Sequence, residues 1–179
     1  MSHIRIKTAR LVLREFTAAD RDVFAKMNAH PEVMADLGGP IDRAASDEKL
    51  DRYMRAYGEF GYGRWAIEND EGLFLGYAGI MHRAEDHPLG LHDEIGWRLC
   101  REAWGFGYAT EAARAALKHG FDRVGLKTVL SYTASDNSRS QAVMERLGLR
   151  RDPSLDFAAE YDPGGKWSGL VWVADNPRS

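Results

Sequence analysis

The chain has a single cysteine, Cys100, among 179 residues, so no internal disulfide is available to it. It has no apolar run of membrane-spanning length, and its opening stretch, MSHIRIKTARLVLREF, is too charged for a signal peptide. No membrane partner is expected, and the cytoplasm is the expected location. Positive charge is not in excess: 24 Lys and Arg stand against 27 Asp and Glu, a formal net charge of −3. A general nucleic-acid binder normally carries a basic surface, so nucleic acid is not an expected partner. No GxxxxGK[ST] occurs to bring a P-loop lysine to a β/γ-phosphate, and no GxGxxG follows a strand. Internal repeats, low-complexity tracts and linkers are missing too. What is left, 44% hydrophobic and 28% charged, is the composition of an ordinary soluble protein, and 1–179 suits one domain.

The stretch from Glu94 to Ala116, EIGWRLCREAWGFGYATEAARAA, is the one the rest is organised around. It reads as a strand (Glu94 to Leu99), a glycine loop (Trp104 to Tyr108) and a helix running through Leu117. Gly105 and Gly107 stand two apart, so successive backbone N–H groups can turn inward with no Cβ in the way. Those amides end at a helix first turn, where unpaired N–H groups and the positive dipole end favour an anion. Strand, glycine loop and helix N-terminus make a phosphate cradle, although the same pattern also serves as a plain tight connection. Ala109, Ala112, Ala113, Ala116, Leu117 and Gly120 fall on one buried helix face.

Earlier in the chain, Ile4 to Lys7 and Leu11 to Arg14 read as an opening extended segment. Thr17 and Asp20 signal a helix start, with Val23, Phe24 and Met27 on its buried face. A second helix carries Leu50, Tyr53, Met54 and Tyr57 and stops at Gly58. Arg64 to Glu68 and Leu73 to Met81 read as strands joined by a turn, and His82 to His92 as a loop. Past the central helix come a strand (Thr128 to Thr133) and a short helix to Leu147, closed by Gly148. That helix has a possible capping box in Ser138 and Gln141. Arg150 to Trp167 reads as loop and Gly169 to Ala174 as a last strand.

WGFGYATEA from Trp104, placed after EIGW, and NSRSQAVMERLGL from Asn137 together resemble the GNAT acetyltransferases. The likeness is greatest to the branch of RimJ/RimL-type ribosomal-protein N-terminal acetyltransferases, which TARLVLREFTAAD and the GRWAIEN…GYAGI hairpin also resemble. The resemblance spans Ile6 to Trp172. It implies a single-domain α/β fold (an α+β mixed sheet), mostly antiparallel, splayed at its middle strands and flanked by helices. It also implies acetyl-CoA lying in the cleft, an amine acceptor, and the homodimer common among relatives. His82, His87 and His92 raise a metal site, but no ordered secondary structure fixes their geometry, and no metal is expected. The family's pyrophosphate loop falls on Trp104, Gly105, Phe106, Gly107, Tyr108 and Ala109, with Leu99, Arg101 and Thr110 beside it. Trp104 replaces a polar first residue, as is usual in this branch. Phe106 stands where a basic residue often lies, which implies weaker attraction for the phosphates. Arg101 could supply charge from the strand side, or be a solvated loop arginine.

Asn137-x-x-Ser140 resembles the family's N-x-x-S, whose asparagine contacts the pantetheine arm; an N-cap role is compatible with that. Many members place a tyrosine four residues further on to protonate the leaving thiolate. Met144 stands there instead, which leaves Ser140 as the candidate donor. Glu94, in DEIGW, is the first candidate for the general base. Glu160 resembles a glutamate used by some relatives, and His82, His87 or His92 could also serve. Trp65, Trp97 and Tyr132 read as core or cleft wall. The expected function is acetyl transfer to a primary amine, either a protein N-terminus or a small molecule. Glu85, Asp86 and Asp93 would suit a cationic acceptor such as a polyamine. The alternative is a GNAT-like acyl-CoA-binding sensor or scaffold without catalysis.

Overall fold

A computed structural model describes residues 4–161 and 165–178. Nine strands among them form one sheet: β1 (Arg5–Lys7), β2 (Leu11–Arg14), β3 (Arg64–Asn69), β4 (Phe74–Arg83), β5 (His92–Leu99), β6 (Thr128–Ala134), β7 (Arg150–Arg151), β8 (Phe157–Tyr161) and β9 (Gly165–Asp175). Their order across the sheet is β1-β2-β3-β4-β5-β6-β9-β7, with β8 also paired to β9. The helices are α1 (Arg21–Asn28), α2 (Pro31–Met34), α3 (Arg43–Phe60), α4 (Tyr108–His119) and α5 (Ser138–Arg146).

Alternation along the strands splits the core into two layers. Leu11, Leu13, Trp65, Ile67, Ala78, Ile80 and Ile95 face α4, where Ala112, Ala113 and Ala116 let the helix come close. The opposite side carries Ala66, Tyr77 and Met81, covered by Phe24 and Met27 of α1 and by Leu50, Tyr53 and Ala56 of α3. Both layers bury apolar surface against the same strands, so β4 is buried on both faces.

The sheet is antiparallel except at one place. β5 and β6 run parallel and meet through a single register pair, Glu94 with Leu130, whereas β4 and β5 stay paired from Gly76–Leu99 to Arg83–His92. Past that pair the two central strands part. The mixed sheet, open in its middle, is the fold expected from the sequence.

Several local expectations need correction. Val23 is 41% exposed, because α1 buries only its Phe24 and Met27 edge. α3 runs through Gly58 to Phe60, since Gly61 takes the left-handed terminating position at φ 77°. The proposed Ser138–Gln141 capping box does not form. The Asn137 carboxamide oxygen caps α5 by accepting from the Ser140 N–H, while the Gln141 side chain donates to Ala134 and Ser135 carbonyls. The segment from Arg150 to Trp167 is not a loop: it holds β7, β8 and the start of β9. Gly169 permits the β8–β9 pairing, because a Cβ there would lie 2.5 Å from the Phe157 ring.

Candidate active site

The glycine loop lies between β5 and α4. Gly105 and Gly107 both have positive φ, 86° and 78°, conformations that any side chain would strain. Gly107 caps α4 with no side-chain hydrogen bond, so the first-turn amides are uncapped and point outward. The Thr110 hydroxyl, buried in that turn, has no hydrogen-bond partner among the described residues. Positive-φ glycines, free amides and an orphan hydroxyl fit a pyrophosphate.

A brace that the sequence did not reveal holds this loop. Glu111 accepts from the Thr8 hydroxyl at 2.6 Å, the Arg10 N–H at 2.9 Å and Arg10 Nε at 2.7 Å. Arg10 in turn donates to the Phe106 carbonyl at 2.9 Å and lies over the Tyr108 ring. Burial acts to raise the Glu111 pKa, but these donors outweigh it and hold the carboxyl below its usual range. Phe106 is 57% exposed and stacks on Tyr108. The Trp104 indole N–H donates to the Leu99 carbonyl, and two guanidinium groups lie over its ring, Arg101 at 4.7 Å and Arg139 at 3.9 Å. Arg101 also pairs with Glu32. Arg139, absent from the expected set, joins Arg10 and Arg101 as a cation beside the loop.

Where β5 and β6 part there is a cavity of about 450 Å³. Its floor is β5 from Glu94 to Arg98, its far wall β6 with Ser140 and Met144 of α5, and its near wall α3. Ser140 and Met144 are thus brought together on the cavity, one turn apart on α5. The Asn137 amide donates to Asp36 at 3.3 Å, tying α5 to the helical layer across the opening.

Glu94 lies at the point of parting, and its surroundings differ from those expected of a free base. Arg64 pairs with one carboxylate oxygen at 3.0 Å, and Arg83 grips the other through Nε at 2.7 Å and a second guanidinium nitrogen. Burial pushes the carboxyl up, but the two guanidinium charges outweigh it and hold its pKa below the ordinary value. Arg64 reaches Glu94 across Gly96, where a Cβ would lie 2.8 Å from the guanidinium. That is a structural reason for the glycine in EIGW.

The three histidines fall in two places, His82 apart from His87 and His92. His82 bonds Asp93, which also accepts from the Tyr62 hydroxyl at 2.5 Å. His87 and His92 join Tyr132, Phe157 and Trp167 in an aromatic cluster at the cavity edge. Burial, then the neighbouring His92, lowers the His87 pKa and favours its neutral form. Among the described residues no group of three or more His, Cys, Asp or Glu is placed to hold a metal ion. Trp65 is core, whereas Trp97 and Tyr132 line the cavity. Glu160 lies on β8 opposite Lys166, and its side chain falls outside the described residues.

Residues 10–150 match the acetyltransferase (GNAT) domain family. The chain belongs to the GNAT family. It is 31% identical over 155 residues to the uncharacterised protein YkkB of Bacillus subtilis, covering 84% of this chain and 88% of that one. It is 30% identical to the FsC-acetyl coenzyme A-N(2)-transacetylase of Aspergillus fumigatus, covering 93% of this chain and 73% of that protein. An acetyltransferase crystal structure from Agrobacterium tumefaciens superposes with a TM-score of 0.81 at 31% identity, over 97% of this chain and 95% of that one. GNAT enzymes use acetyl-CoA and an amine acceptor, and the loop and cavity of this GNAT chain are suited to such a pair.

Proposed function

We propose that this chain transfers the acetyl group of acetyl-CoA to a primary amine by direct attack in a ternary complex, in the RimJ/RimL-like branch of the family. The observation that carries this reading is the single-bridge opening between β5 and β6, where a cavity large enough for an acceptor lies on the same strand that leads to the uncapped α4 terminus. Bound there, acetyl-CoA supplies an activated thioester. The amides from Phe106 to Ala109, with the Thr110 hydroxyl, would hold its pyrophosphate. Leu99 and Asn137 would line the pantetheine arm, and Arg101 and Arg139 would flank it through Trp104.

An amine nitrogen attacks the carbonyl carbon, the C–S bond breaks, and the Ser140 hydroxyl gives its proton to the departing sulfur and is reprotonated from water. A lysine ammonium near pKa 10.4 must lose a proton at a cost of roughly 4 kcal/mol at neutral pH, an α-ammonium near 7.8 only about 1 kcal/mol. The guanidinium-rich floor lowers that cost further, because positive charge disfavours the ammonium form. Glu94, with both oxygens engaged by arginines, is in our reading the anchor of that floor, and the amine's proton leaves to water. Cys100 does not line the cavity, and burial raises its thiol to about 11; both favour direct attack over an acetylated cysteine.

Thiol release from acetyl-CoA across a panel of amines is the test. Amine-dependent release with an acetylated product supports the reading. Tight CoA binding without release to any amine would favour the acyl-CoA sensor, a reading to which Met144 in place of a hydroxyl-bearing residue gives some weight.

A further inference from the structure

The cavity wall has more positive than negative charge, although the chain as a whole is acidic. Lys49, Arg52, Arg64, Arg83 and Arg98 line it, against three carboxylates, Asp36, Glu48 and Glu94. The pairing is uneven. Asp36 takes Arg98 through both oxygens, at 2.8 and 3.0 Å, and Glu94 is shared by Arg64 and Arg83. Lys49, Arg52 and Glu48 form no ion pair among the described residues; Arg52 and Glu48 are exposed, whereas Lys49 is half-buried, its ammonium 5.7 Å from the Tyr77 ring and 6.0 Å from that of Phe24.

The acidic residues of the loop after β4, which would suit a polyamine, lie elsewhere. Glu85 and Asp86 are exposed on the β4–β5 connection, and Asp93 is engaged by His82 and Tyr62. None of the three lines the cavity.

Resting on the acetyl-transfer reading, we infer that the acceptor carries a carboxylate, seated against Lys49 on the α3 wall while its amine faces the β5–β6 opening. The substrate class is then an amine bearing an acid group, either a small amino acid or a peptide with an acidic side chain near its N-terminus. The wall also carries the buried neighbours Tyr53 and Tyr77, whose phenols shift in opposite directions. Burial pushes the Tyr77 phenol up, yet Lys49, Arg98 and Arg64 outweigh it and hold its pKa below the ordinary value. A dication such as a polyamine would meet that field with the exposed Glu48 as the one wall carboxylate, among the described residues, not held by an arginine.

The test uses matched amines with acetyl-CoA: 5-aminopentanoate, pentylamine and cadaverine, then alanyl-glutamate amide against alanyl-glutamine amide. One carboxylate member should exceed its neutral partner in kcat/KM by roughly ten-fold or more, the scale of one charged hydrogen bond. The pair that shows it separates a small acid from a peptide. Lys49→Met keeps the aliphatic stem over Phe24 and Tyr77, and it should erase the preference with the acetyl-CoA KM unchanged. Calorimetry on CoA-saturated protein supplies a readout free of turnover: glutarate should bind to the wild type and be lost from Lys49→Met. Equal rates within both pairs, a preference for cadaverine, or glutarate binding indifferent to Lys49 would overturn the inference. Lys49-dependent glutarate binding with no thiol release from any amine would instead sink acetyl transfer and leave the acid-binding wall standing.

Discussion

Replacing Glu94 with Gln tests the charged floor of the cavity, and the structure gives its magnitude. The Arg64 side chain is 4% exposed and that of Glu94 9%, so the pair is desolvated. Removing the carboxylate charge leaves a buried guanidinium uncompensated, at a cost of about 3–5 kcal/mol. For a chain of this size each kcal/mol moves the melting midpoint by about 2–4 °C, so a fall of roughly 6–20 °C is expected. Arg83→Met is the control: its side chain is 36% exposed, and the loss should stay within about 1 kcal/mol. The pH dependence has a definite sign. The folded pKa of Glu94 lies below its unfolded value, so its contribution is present above about pH 4.3 and is lost as pH falls through the folded pKa. Denaturant titrations from neutral to acid pH should show a component of acid sensitivity that Glu94→Gln lacks. A variant within about 1 kcal/mol of wild type, with the same acid profile, would refute the view of Glu94 as a charge anchor.

Other outcomes follow from the same geometry. Gly107→Val should abolish CoA binding in calorimetry while leaving a folded chain. Gly105→Ala, also at positive φ, should weaken that binding too, since a side chain there costs about 1–2 kcal/mol. Glu111→Gln removes the charge that holds Arg10 against the Phe106 carbonyl, so it should raise the acetyl-CoA KM several-fold at unchanged kcat, read from initial rates. Ser140→Ala should slow turnover on the order of 10–10²-fold, with Met144→Tyr partly restoring it in the same background. Intact turnover with weakened CoA affinity would make Ser140 a pantetheine contact alone.

Much of the fold was legible because its signals are short-range. The glycine pair, the alanine face of α4 and the Asn137 cap each lie within one turn or loop, and each lies where the spacing put it. The Arg64–Glu94–Arg83 cluster was not legible. Its members come from three strands, and only the β3–β4–β5 register brings them together. Read alone, Glu94 looked like a base; its two guanidinium partners change what it can do. The β8–β9 hairpin was hidden by prolines and glycines that read as loop. Arg10 and Glu111 stand about a hundred residues apart, so nothing local pointed to the brace. Nothing local marks Arg139, because its task, lying on Trp104, depends on where α5 meets the loop.

The most direct test of the account is amide hydrogen exchange with and without CoA, resolved to single residues. The account predicts protection on CoA addition at Phe106 to Thr110 and along β5 from Gly96 to Leu99. The buried strands β2 and β3 should stay unchanged. Protection confined to some other surface, with the amides of Phe106 to Ala109 exchanging as before, would contradict the placing of acetyl-CoA between β5 and β6.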